Sequence, residues 1–80
     1  MYYVYFIKST VKNWVYVGST SNIEKRLEQH NKGEVQSTQF YKPFTLIYTE
    51  TYTTVAEARK REKEIKTNRC KKDDIIKSLK

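Results

Sequence analysis

Hydrophobic and polar positions alternate over residues 2–8, the period of two that gives a strand one set of side chains on each face. Ser9 to Asn13 interrupt the alternation as a turn, and residues 14–18 return as a second strand, so the pattern predicts a hairpin. Gly18, Ser19 and Thr20 lead to Ser21, which with Glu24 has the spacing of a capping box and predicts a helix over about 22–32, ended by Gly33. Residues 34–43 form a polar loop closed by Pro43, which biases Lys42 toward extended geometry. Phe44 to Tyr52 alternate as a third strand. Thr54 and Glu57 supply a second capping box, opening a helix to about residue 67. A last helix over about 72–79 buries Ile75, Ile76 and Leu79 and starts at Asp73 and Asp74, acids suited to a helix N-terminus. The order β-β-α-β-α-α defines an α+β fold, a small three-stranded sheet flanked by helices. Strand order does not follow from the pattern.

The buried stripes then single out particular residues. In the first helix Ile23, Leu27 and His30 share one face, and Arg26 lies about 60° from Ile23, on the shoulder of that face. A guanidinium there reaches a phosphate while its stem packs on apolar surface, and it reads equally as a snorkelling surface arginine. His30 reads as a boundary residue able to carry a proton. Lys25, Glu28 and Gln29 point to solvent. In the second helix Val55, Ala58 and Ile65 mark the stripe, and Glu62, about 340° from Val55, falls in its centre. A carboxylate buried among aliphatic neighbours needs a partner. A divalent cation with its preference for oxygen ligands is one, and a salt bridge to Arg59 or Lys66 is the other. Two phenols complete the set. Tyr5 and Tyr16 lie on neighbouring strands where they can share a sheet face, although tyrosine also suits a half-buried strand for packing alone.

Composition narrows the field without choosing a reaction. Eighty residues make a single domain, 1–80, with a small core. Sixteen Lys and Arg against nine Asp and Glu give a formal +7, a field that attracts polyanions. No apolar run approaches the roughly 18 residues of a membrane span, and residues 1–7 read as a strand rather than an export signal. The single Cys70 excludes an internal disulfide and gives no zinc cluster with His30. A cytoplasmic setting, without a membrane, is the expectation.

The ordered set of Tyr3-Val4-Tyr5, Tyr16-Val17-Gly18 eleven positions on, Arg26 with His30 four later, and Arg61-Glu62 in a late helix resembles the GIY-YIG endonuclease family, in its small single-domain bacterial branch. The resemblance covers essentially the whole chain. It implies a metal-dependent endonuclease that hydrolyses phosphodiester bonds in DNA, with Tyr5 and Tyr16 as the site tyrosines and Arg26 stabilising the scissile phosphate. His30 takes the position of a site His or Tyr, and Glu62 that of the sole carboxylate ligand of a divalent metal, usually Mg²⁺, with Mn²⁺ as substitute. Gly18, closing the second motif, allows tight approach near the site. Thr38, in the polar loop, is expected at the substrate backbone. Tyr3 stands where the first motif's name has Gly, Ser19 where excision-repair incision nucleases carry Lys, and Asn68 lies too close to Glu62 to match the family's downstream Asn. A phenol acting as base near pH 7 needs neighbouring cations to lower a pKa of about 10. With no second domain to read sequence, the target is expected to be a DNA shape, or a partner or second copy supplies targeting. The alternative is a basic, tyrosine-rich module that binds nucleic acid without hydrolysis.

Overall fold

Val4, Tyr5, Phe6 and Ile7 are all buried, which requires a strand covered on both faces. That strand is the centre of the sheet. In the computed structural model, which describes residues Met1–Leu79, the elements run β1 (Tyr2–Ser9), β2 (Val15–Thr20), α1 (Ile23–Asn31), a single 3₁₀ turn at Gln39–Tyr41, β3 (Phe44–Tyr52), α2 (Val55–Thr67) and α3 (Arg69–Ser78). Lys80, the last residue of the expected 1–80 unit, lies outside the described residues. The sheet order is β2-β1-β3, antiparallel throughout, so the expected α+β class and element order hold. Alternation along β1 divides the core. Val4 and Phe6 join Val17 beneath Ala58 and Ile65 of α2, while Tyr5 and Ile7 join Phe44 on the other face, with Leu27 of α1 against them.

Local sequence set the helix ends differently from the pattern reading. Asn22, not Ser21, caps α1, its side-chain oxygen accepting from the Lys25 backbone N–H at 3.1 Å. Thr54 caps α2 as expected, accepting from the Glu57 N–H at 3.2 Å. Asn68 caps α3 by accepting from the Cys70 and Lys71 N–H groups, which starts that helix at Arg69. Asp73 and Asp74 therefore fall inside α3 rather than at its start. Ile75 and Ile76 are half-buried, and Leu79 is exposed rather than buried. Lys42 is extended, as its place before Pro43 requires.

α2 is held to β3 by one carboxylate. Glu50 accepts from Arg61 Nε at 2.9 Å and Nη2 at 3.2 Å, and from the hydroxyls of Tyr48 and Tyr52 at 2.7 Å each. Burial alone would raise the Glu50 pKa, but the hydrogen bonds from Arg61 and both tyrosines outweigh it and hold the carboxyl below the usual range. Burial, then the bond to Glu50, pushes Tyr52 up to about 12. Above its ordinary value of 10.0, the unfolded chain ionises Tyr52 while the folded chain does not. Stability is thus lost as pH rises from 10.0 to about 12. Tyr52→Phe should flatten that alkaline loss in urea titrations at stepped pH, and an unchanged slope would show that the network does not govern it. Glu50→Gln should lower stability at pH 7 by about 1–3 kcal/mol, read from the same titrations.

Candidate active site

The close approach of β1 and β2 begins the site. Tyr5 pairs with Gly18 in the strand register and Tyr16 with Ile7, placing both phenols on the α1 side of the sheet with ring centroids 6.5 Å apart. A Cβ at Gly18 would come within 2.5 Å of the Tyr5 hydroxyl and 2.6 Å of Cζ. The glycine that closes the second motif is therefore the space in which the Tyr5 ring lies. The close approach at Gly18 is that of Tyr5 within the protein.

Around that phenol runs a chain of hydrogen bonds. Arg26 Nε donates to the Tyr5 hydroxyl at 3.4 Å, and the hydroxyl lies 2.9 Å from His30 Nε2. His30 Nδ1 is 2.8 Å from the Thr38 hydroxyl, which donates to the Val35 carbonyl at 3.3 Å. Since Thr38 gives its proton to Val35, its oxygen accepts from Nδ1–H. Nε2 is then the bare nitrogen, and Tyr5 donates to it. His30 is fully buried, not a boundary residue. Burial and then the Arg26 charge bring its pKa down to about 4, so the ring is neutral at pH 7. Burial likewise pushes the Tyr5 phenol up, outweighing the pull of Arg26. The condition that cations lower the phenol is therefore not met at Tyr5. Thr38 is fully buried, with its hydroxyl spent on His30 and Val35. It supports the imidazole and does not lie open to a substrate backbone. Gln29 does not simply face solvent either, because it accepts from Arg26 Nη1 at 3.2 Å and steadies the guanidinium.

Glu62 reaches the same place from α2. It is not sunk at the centre of a buried stripe: its side chain is 22% exposed. Val55, from which the stripe was counted, is itself 41% exposed, and the true stripe runs through Ala58 and Ile65. Of the two expected partners for this carboxylate, the salt bridge is present, to Lys66 at 2.9 Å, while Ser19 donates to its other oxygen at 2.5 Å. Lys66 Nζ also sits 5.0 Å over the Tyr16 ring, which ties the carboxylate to the phenol side of the molecule. Glu62 adds to the upward push on Tyr5. Ser19 enters the sequence reading only as a departure from the family motif, with no partner assigned, yet its neighbour Gly18 faces α1, and alternation alone turns Ser19 to α2.

A divalent metal fits this donor set in a limited way. Glu62 offers a partly exposed carboxylate, and among the described residues no group of three or more His, Cys, Asp or Glu side chains gathers to form a cage. That suits a hard cation such as Mg²⁺, which binds through one or two carboxylates and takes its remaining ligands from water and substrate phosphate.

Two phenols, a guanidinium, a neutral imidazole and a lone carboxylate are thus gathered on a small α+β domain. The chain belongs to the GIY-YIG family: the model of the GIY-YIG catalytic domain matches residues 1–73, which puts the chain in the nuclease class. It is 40% identical over 77 residues to a UPF0213 protein of Staphylococcus saprophyticus, covering 94% of this chain and 93% of that one. It is also 40% identical over 78 residues to a UPF0213 protein of Staphylococcus aureus, covering 95% and 94%. A UPF0213 protein from Bacillus halodurans, solved by NMR in solution, superposes with a TM-score of 0.59 at 31% identity, over 100% of this chain and 86% of that one.

The buried imidazole makes the acid limb of stability testable. Below 6.5 the unfolded His30 takes up a proton that the folded ring refuses until about 4, so stability falls as pH drops through that window. His30→Gln should remove this part of the acid loss, and ¹⁵N NMR at pH 6 should show the ring as the neutral Nδ1–H tautomer. A protonated ring at pH 6 would contradict the hydrogen-bond chain. Gly18→Ala should cost about 1–3 kcal/mol through the clash with Tyr5, measured by chemical denaturation.

Proposed function

We propose that this protein is a metal-dependent endonuclease that hydrolyses phosphodiester bonds in DNA, directed by the shape of the nucleic acid rather than its sequence. The observation that carries this reading is the Tyr5 hydroxyl, held between the Arg26 guanidinium and the bare nitrogen of His30. A phenol so placed accepts a proton from an attacking water while passing its own to His30 Nε2. The relay needs no resting phenolate, which accords with the upward push on Tyr5. Arg26 holds a non-bridging phosphate oxygen. An anionic phosphate at Arg26 also offsets the positive charge that is the second cause of the low His30 pKa, making the ring a better acceptor when substrate is bound. Tyr16, at the rim with its ring 5.2 Å from that of His30, orients the water. Glu62 would hold Mg²⁺ or Mn²⁺, which when bound supplies charge neutralisation at the phosphate and leaving group. The net +7 charge draws the polyanion in.

One observation favours the rival reading, a binding module without hydrolysis: both oxygens of Glu62 already have partners within the protein. The two readings separate in a nicking assay on branched and single-stranded DNA with Mg²⁺ or Mn²⁺. Tyr5→Phe and Glu62→Gln should each lower the cleavage rate by about 100-fold or more, and EDTA should abolish it. Equal cleavage by wild type and both variants would remove the hydrolase assignment. Salt-sensitive binding unaffected by EDTA, with no cleavage, would install the binding module in its place.

A further inference from the structure

Beside the site, a cleft of about 420 Å³ opens between the free edge of β2 and the junction of α2 with α3. Its volume falls in the roughly 300–1,000 Å³ range of small-molecule sites, room for one nucleotide but not for a base pair. Three cations converge on it, Lys66, Arg69 and Lys72, against the single acid Asp73. Lys72 is half-buried there, its Nζ donating to the Val15 carbonyl at 2.8 Å. Burial lowers its pKa, Asp73 acts against this, and the positive neighbours Arg69 and Lys66 add to the lowering. The cleft therefore gathers like charges that an incoming oxyanion would relieve. Trp14 forms another part of its wall, held in place by stacking on Tyr41 at 4.2 Å. Lys66 is shared, since it also pairs with Glu62.

Resting on the nuclease reading, we infer that this cleft binds one unpaired nucleotide of the substrate strand next to the cut bond, its phosphate held by Lys66, Arg69 and Lys72 and its base laid against Trp14. A base reaches such a recess only when it is out of a duplex, and stacking on an aromatic ring is indifferent to which base it is. Shape selection follows without any reading of sequence: the substrate needs a single-stranded segment at the cut. Phosphate alone would give charge-driven affinity common to every DNA. The aromatic wall is what separates a flap from a duplex.

The test reads binding in EDTA, so that hydrolysis plays no part. Fluorescence anisotropy compares flap-bearing DNA with the fully paired duplex, for wild type, Arg69→Gln and Arg69→Gln/Lys72→Met. The double variant should lose about tenfold or more in affinity for the flap and about threefold or less for the duplex. In wild type, 2-aminopurine at the unpaired position should lose fluorescence on binding, and in the double variant it should not. Arg69 is exposed, so its single variant carries the test if Lys72→Met fails to fold. Equal losses on flap and duplex, or an unquenched 2-aminopurine in wild type, would overturn the inference. Flap preference lost in the variants supports the cleft even in a protein that proves unable to hydrolyse DNA, whereas cleavage with unaltered variant binding removes the cleft and leaves the nuclease standing.

Discussion

The hydrogen bond from the Tyr5 phenol to the His30 imidazole is the contact on which the rest depends. It joins the central strand to the last turn of α1, a helix of nine residues that brings only Leu27 and the His30 ring to its side of the core. A helix that short gains little from its own hydrogen bonds and must be held by what it packs on. Here the holding is largely polar. Every link in the series Arg26, Tyr5, His30, Thr38, Val35 gives or takes a proton from the next, and no buried side-chain polar atom among the described residues is left without a partner. A half-satisfied series would cost more than an apolar core, so its completeness fixes which nitrogen of His30 carries the proton. The same bond that stabilises α1 thereby prepares the site: it aims Tyr5, and through Tyr5 it fixes where Arg26 rests.

The second constraint is the position of β2 at the sheet edge. Its alternation sends Gly18 toward α1 and Ser19 toward α2, so adjacent residues of one strand serve opposite halves of the site. Only an edge strand lets groups from both faces meet, because no further strand separates them. Lys66 reaches around that edge, from its pair with Glu62 to the Tyr16 ring. This ion pair is exposed enough that its net worth is small, at most about 1 kcal/mol. On the proposed reading, a substrate phosphate that draws Lys66 away releases one oxygen of Glu62 to a cation at little cost.

Much of this was legible because it is periodic. The strands β1 and β3, the Thr54 cap and the shoulder position of Arg26 follow from spacing, and the structure bears each out, although residues 4–7 of β1 are buried on both faces rather than on alternate ones. The misreadings arose where spacing was degenerate. Ser21 and Asn22 are both good caps one residue apart, and only the path of the chain chooses Asn22. Glu62 was placed by counting from Val55, a residue that packs on nothing central; counted from Ala58 and Ile65 it moves to the shoulder, where a carboxylate keeps access to water. Nothing in the sequence pairs Thr38 with His30 or Ser19 with Glu62. Their partners lie 8 and 43 residues away, and a lone hydroxyl in a polar stretch looks the same whether it faces solvent or an imidazole.

These two constraints account for the glycine and the tyrosine together. A phenol beside an edge strand would ordinarily stand off by the thickness of a side chain, with its hydroxyl bonded to water. With no side chain at Gly18, the Tyr5 ring lies down on β2, and its hydroxyl is carried under α1 to His30. Burial there raises the phenol's pKa, so the position disfavours a resting phenolate. On the proposed reading, what it favours is a proton moved in concert between a water on one side and a neutral imidazole on the other. The depth that makes Tyr5 a poor base by itself is the depth that puts it in contact with a better one.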